Sequence, residues 1–132
     1  MGIAADEAHR AKPEGQENKR YPLIDWGWTE KDCLDYCLQE GYDWGGLYDH
    51  FNRASCWCCP LKSLGELRQL RKYYPDLWEE LKDMDRRTWR QFRSDYSIDD
   101  LDIRFDFEEK RIEENLSIRN RDFFAQLKQL LN

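Results

Sequence analysis

The residues of this chain best suited to chemistry are its five cysteines, all of which fall between Cys33 and Cys59. Cys33 and Cys37 are four apart, a spacing that on a helix stacks both sulfurs on one face. Cys56, Cys58 and Cys59 follow in the run CWCC before Pro60, so that Cys56 and Cys59 make the CxxC pair of a knuckle-like turn. Deprotonated sulfur is a soft, strong donor, and four thiolates complete a tetrahedral zinc or hold an iron–sulfur cluster. Cys33, Cys37, Cys56 and Cys59 are therefore the candidate ligands, with Cys58 as a substitute and His50 in reserve. The competing role for a free cysteine is that of a small buried hydrophobe. Clustering of all five in one stretch favours the metal, and a closed four-cysteine site without redox apparatus points to structural zinc, with iron–sulfur as the alternative.

Other chemistries find less support. A nucleophile–histidine–acid constellation has only His9 and His50 to draw on, and neither lies in a recognisable motif. The acidic pairs Asp99–Asp100 and Glu108–Glu109 read as helix surface. Gly45–Gly46 is too short for a phosphate loop. A net charge of −6 and a pI near 5.0 lack the overall basic signature of a nucleic-acid binder. Arg86, Arg87, Arg90 and Arg93 form a local basic run, but acidic residues interleaved with them mark a solvated face, and direct nucleic-acid binding is not expected.

These side chains need elements to position them. The 132 residues suit one domain, and 40% hydrophobic residues can build a modest core without a disulfide framework. The chain has no valine and two threonines, with abundant Leu, Glu, Lys, Arg and Gln, which favours helix over sheet. The fold expected is mainly α, a small helical domain with a cysteine-rich metal-binding knuckle and little or no sheet. Residues 1–20 are expected to be a flexible or strand-like lead, and residues 21–132 the helical metal-binding domain.

Start and stop signals place the helices. Thr29 with Asp32 opens a helix through Cys33 and Cys37 that stops at Gly41, and Ser63 with Glu66 opens another, striped by Leu61, Leu64, Leu67 and Leu70. Pro75 suits the first turn of a helix carrying Leu77, Trp78 and Leu81. Residues 86–94 are expected to form a short helix with Trp89 and Phe92. Ser97 with Asp100 marks the next start. Leu101, Ile103, Phe105 and Phe107 alternate like a strand, but Ile98, Leu101 and Phe105 fit a helical face and no second strand is evident, so helix is preferred. A last helix follows Asn120. Trp26, Trp28, Trp44 and Trp57 bracket the cysteines and are expected in the core, where they would also shield the site.

The first twenty residues lack a signal peptide's apolar stretch, and no later segment approaches the roughly 18 apolar residues of a membrane span. A cytoplasmic location is expected, where clustered cysteines serve metals or redox chemistry more often than disulfides.

The run RYPLIDWGWTEKDCLDYCLQEGYDWGGLYDHFNRASCWCCPL, followed by LGELRQLRKYYPDLWEELKDMD and DYSIDDL, resembles the C-terminal half of phosphoadenosine phosphosulfate reductase-like proteins of bacteria and phages. GIAADEAHR is similar to a segment just upstream in those proteins. The resemblance implies descent from the adenine-nucleotide alpha-hydrolase-like fold, whose glycine-rich loop of the SGGKDS type binds phosphates; no such loop occurs here. Glu7, Arg10, Arg20 and Asp25 match family positions that would face the nucleotide, and nucleotide binding is expected only if another chain complements them. The redox cysteine near the end of sulfate-reducing members has no counterpart after Cys59.

Together these readings describe a non-catalytic, metal-stabilised module for a protein partner, with no role at a membrane. A phage-type inhibitor of a nucleic-acid-handling complex is one concrete form. The alternative is a subunit of a split adenine-nucleotide-dependent sulfur-transfer or reductase enzyme.

Overall fold

A computed structural model describes residues 2–11 and 19–131. Among them there is no strand, and the architecture is mainly α, as the scarcity of β-branched residues predicts. The chain divides into two compact units, residues 1–49 and 50–132.

The first unit opens with a 3₁₀ helix, Ala5–Arg10. Its Ala5 amide donates to the Trp28 carbonyl at 2.7 Å, and Asp6 Oδ1 accepts from the Glu30 amide at 3.2 Å. The described part of the lead is thus helical instead of strand-like, and residues 12–18 of the expected flexible segment lie outside the described residues. Helix α1 (Pro22–Asp25) begins on proline, whose fixed φ suits a first turn, and closes on Gly27 at φ +70°. Helix α2 (Glu30–Gln39) starts at the anticipated capping box: Asp32 Oδ2 accepts from the Thr29 amide at 2.9 Å, and Thr29 Oγ1 accepts from the Asp32 amide at 3.2 Å. It ends at Gly41, φ +87°, where the Tyr42 amide donates to the Cys37 carbonyl at 2.9 Å and the Gly41 amide to Leu38 at 3.1 Å. This is a Schellman motif, which needs a left-handed residue at that place. A 3₁₀ turn (Trp44–Gly46) and helix α3 (Leu47–His50) follow.

The tryptophans depart from expectation. None of Trp26, Trp28, Trp44 and Trp57 is buried, and Trp26 is 67% exposed. Gly27 and Gly45, beside Trp26 and Trp44, take positive φ, and Trp44 itself lies at φ 50°. Trp28 is held between the edges of Trp26 and Tyr36, with ring centres 6.4 and 5.5 Å away.

The second unit holds most of the core. Helix α4 (Leu64–Tyr73) starts at the Ser63–Glu66 capping box, buries Leu67 and Leu70, and leaves Leu61 outside the helix and 84% exposed. Tyr74 alone links it to α5 (Pro75–Arg87), which begins on proline and buries Trp78 and Leu81. Helix α6 (Ile98–Glu113) starts at the Ser97–Asp100 box, and α7 (Arg121–Leu130) is capped by Asn120. Between them Asn115 takes φ 58°, the Leu116 amide donates to the Arg111 carbonyl at 2.8 Å, and the Asn115 amide to Ile112 at 3.0 Å, a second Schellman turn.

Helix α6 also shows why its alternating pattern did not make a strand. Its buried positions are Ile98, Leu101, Arg104, Phe105, Glu108 and Arg111, a helical stripe in which three members are charged. Ile103, in the alternating series, is 40% exposed. Glu108 therefore overturns its reading as surface, while Glu109 fits it. The Glu108 carboxylate accepts from Arg104 Nε at 2.8 Å and from Arg68 Nε of α4 at 2.6 Å. Asp102 ties in α5, accepting from Trp78 Nε1 at 3.0 Å, Lys82 Nζ at 2.6 Å and Arg71 Nε at 2.7 Å. Arg111, also buried, donates to Asp122 at 2.9 Å and to the Ser117 carbonyl at 3.1 Å, fastening α7.

Burial pushes the Glu108 carboxyl up, but hydrogen bonds from Arg68 and Arg104 outweigh it and hold the group below the usual range. Asp102 is held down likewise: burial raises it, and Lys82, Trp78 and Arg71 prevail. A depressed carboxyl contributes stability that is complete above its unfolded value, about 4.3 for Glu, and is lost as pH falls through the folded value. Glu108→Gln removes one partner of a buried pair, so it should cost about 3–5 kcal/mol at pH 7. Chemical denaturation across pH 2–7 should also show a shallower acid limb in the variant than in the wild type.

Candidate functional site

Helix α2 presents Cys33 and Cys37 four apart, both half-buried, on a segment fixed at each end by its capping devices. Burial pushes the Cys33 thiol up, and the charge of Cys37, then Asp32, Asp6 and Glu30, adds to it. A thiol in such acidic company is kept protonated, opposite to what a nucleophile needs. A cation would relieve the same repulsion.

The second group of thiols lies on a turn in the other unit. The Cys59 amide donates to the Cys56 carbonyl at 3.2 Å and the Lys62 amide to Cys59 at 3.1 Å, after which the Ser63 cap launches α4. Cys56 is exposed, Cys58 and Cys59 are half-buried, and all five cysteines are free thiols. Among the described residues no three His, Cys, Asp or Glu side chains are gathered as an ion site. The donor chemistry suits zinc, but the donors stand as local pairs. His50, the reserve ligand, instead stacks on Tyr73 at 3.7 Å between ring centres and meets the edge of Tyr74 at 6.2 Å.

Lys62, directly after the turn, is 4% exposed. Its ammonium donates to Ser55 Oγ at 2.7 Å and sits over the Phe51 ring, 4.9 Å from the centre. Glu66 Oε1 is 3.8 Å from that ammonium and 4.0 Å from Arg53 Nε, and it accepts no hydrogen bond.

The residues matched to a nucleotide-facing surface pair with one another. Arg10 Nη1 donates to Glu7 Oε2 at 2.5 Å, and Arg20 Nη2 lies 4.0 Å from Asp25 Oδ2. Both are solvent-exposed local pairs of small energetic weight.

A feature that sequence reasoning missed lies at residues 88–97. Instead of the short helix expected over 86–94, α5 continues to Arg87 and an irregular loop follows. Asp85 explains the change: its Oδ1 accepts from the Phe92 amide at 2.6 Å and its Oδ2 from the Ile98 amide at 2.7 Å. Arg93 grips Asp95 with two nitrogens, at 2.8 and 3.2 Å, and donates to the Lys62 carbonyl at 2.7 Å. The loop is pinned by charge, yet its largest ring is bare, with Trp89 94% exposed. Trp89, Phe92, Leu61, Met84 and the buried Leu81 line a cleft of about 930 Å³, with Cys58 at its edge. The signal in the sequence was Asp85 itself, a carboxylate standing where the stripe of Trp78 and Leu81 called for an apolar residue.

The basic run resolves into separate pairs. Arg86 holds Asp99 at 2.8 and 2.6 Å, Arg87 holds Asp83 at 2.7 Å, and Arg93 holds Asp95. The Arg90 guanidinium, on the rim of the cleft, has no partner among the described residues.

No family model and no solved structure matches the chain. A stretch of 54 residues, 40% of the chain, is 32% identical to an uncharacterized protein of Methanocaldococcus jannaschii. The matched stretch spans 11% of that protein's length. No helix among the described residues is long and apolar enough to cross a membrane.

Asp85→Ala orphans two amides, each worth about 1–3 kcal/mol when left unsatisfied. Hydrogen exchange should accelerate at Phe92 and Ile98 while the middle of α6 keeps its protection; unchanged exchange at both amides would show that the carboxylate does not pin the loop.

Proposed function

We propose that this chain is a non-catalytic protein-interaction module whose cysteine pairs take structural zinc. The observation that carries the reading is Trp89, bare on a loop whose polar groups are tied down by Asp85, Arg93 and Asp95. A rigid aromatic anchor loses little entropy on binding, and tryptophan is among the residues that most often dominate interfaces. Three further observations support the non-catalytic part of the reading. The Cys33 thiol is pushed up, His50 is stacked on tyrosine, and the buried carboxylate Glu108 is bound by arginines.

In this reading the chain descends from the distal half of a phosphoadenosine phosphosulfate reductase-like protein and serves a macromolecular partner in the cytoplasm. A phage-type inhibitor of a nucleic-acid-handling complex remains its concrete form. Zinc suits the two thiol pairs because each supplies soft donors on a segment already shaped by hydrogen bonds, and ligation by both pairs would add folding free energy.

Protein purified without metal-affinity steps should contain about one zinc per chain, and Cys37→Ser and Cys56→Ser should each release it and lower the melting temperature. Unchanged metal content and stability in both variants would remove the zinc, and a brown, visibly absorbing protein would replace it with an iron–sulfur cluster. Trp89→Ala should leave stability within about 0.5 kcal/mol, as exposed positions do, yet eliminate a protein crosslinked to the wild type in its native cell. Retention of every crosslink would overturn the interaction role, and adenine-nucleotide binding by the isolated chain would favour the split enzyme.

A further inference from the structure

We infer that the cleft beside Trp89 receives an acidic amphipathic helix of a partner protein. The inference rests on the interaction-module reading and specifies what that module binds.

Charge identifies the occupant. Asp85 has both oxygens taken by backbone amides, Asp95 is gripped by Arg93, and Asp83 by Arg87, so the carboxylates around the cleft are engaged. Arg90 alone among the four arginines of this stretch offers an unpartnered charge, and it stands on the rim. Asp85 keeps its charge although its oxygens are spent, so Arg90 is the ionic group of the cleft still able to form a new pair, which selects a local carboxylate on the partner. The net charge of −6 disfavours a second acidic copy of this chain. One open arginine is too few for a phosphate backbone, whose binding depends on several neutralised phosphates.

Shape identifies the conformation. The walls are aliphatic and aromatic, from Leu61, Met84, Phe92 and Trp89 over Leu81, and Met84 is the adaptable element of such grooves. About 930 Å³ accepts the side chains of roughly two helical turns, presented at i, i+3, i+4 and i+7. An added strand has no sheet edge to join among the described residues. The pinned loop means that the receiving surface is ordered beforehand, which lowers the entropic cost of docking.

Selection from a displayed library of random 16-residue peptides against the purified chain tests this. The peptides recovered should carry Leu, Phe or Trp at helical spacing next to Asp or Glu. Trp89→Ala should weaken a selected peptide at least tenfold in a fluorescence-polarisation titration. Arg90→Glu should also weaken it, and a peptide with Lys in place of the acid should recover affinity for Arg90→Glu. Peptides that are basic or proline-rich, no enrichment at all, or affinity indifferent to Trp89→Ala would overturn the inference. So would self-association in sedimentation that Trp89→Ala abolishes, or single-stranded DNA competing for the site. If the cellular crosslink depends on Trp89 while the selected peptides are of the wrong kind, the helix falls and the module stands; if neither depends on Trp89, both fall.

Discussion

The second unit is organised around one carboxylate, Glu108, held between arginines of two helices and shielded from water. A charge in such a place is expensive unless its hydrogen-bonding capacity is filled, and the two guanidiniums fill it. Because Arg68 comes from α4 and Arg104 from α6, the ion fixes the register of those helices against each other. Asp102 does the same nearly two turns earlier for α5, through Trp78 and Lys82, and Arg111 does it later for α7. Apolar burial supplies most of the attraction, but leucine stripes slide; the salt-bridged ladder along α6 selects one arrangement. Rings complete it, with Arg68 over Phe105 and Arg104 and Arg111 both against Phe123.

The helices were legible because their ends carry local chemistry. Thr29, Ser63, Ser97 and Asn120 each cap where a polar side chain three residues ahead of a stripe demands it, and those bonds depend on nothing distant. Glu108 and Trp89 were not legible, and for a shared reason. Glu108 is buried with a partner remote in sequence, Arg68, forty positions away, and the loop that carries Trp89 is set by Asp85, which binds amides up to thirteen away. Hydropathy alone assigns glutamate to water and tryptophan to the core, and it carries no trace of those tertiary hydrogen bonds.

The thiols occupy an intermediate position. Their local geometry follows from sequence, a helical face for Cys33 and Cys37 and a tight turn for Cys56 to Cys59. The order of each segment comes from backbone bonds, including the Cys37 carbonyl in the turn that ends α2. Each sulfur is thus presented on a segment shaped by its own hydrogen bonds.

Asn115 carries a consequence for reading other sequences built this way. Its backbone lies in the left-handed region, and the bend from α6 to α7 closes only there. Glycine, asparagine and aspartate adopt that conformation at little cost, whereas valine, isoleucine and threonine are strongly resisted. Among homologues that keep the corner, the alphabet at this one position should shrink to those three letters, even where the flanking exposed residues drift freely.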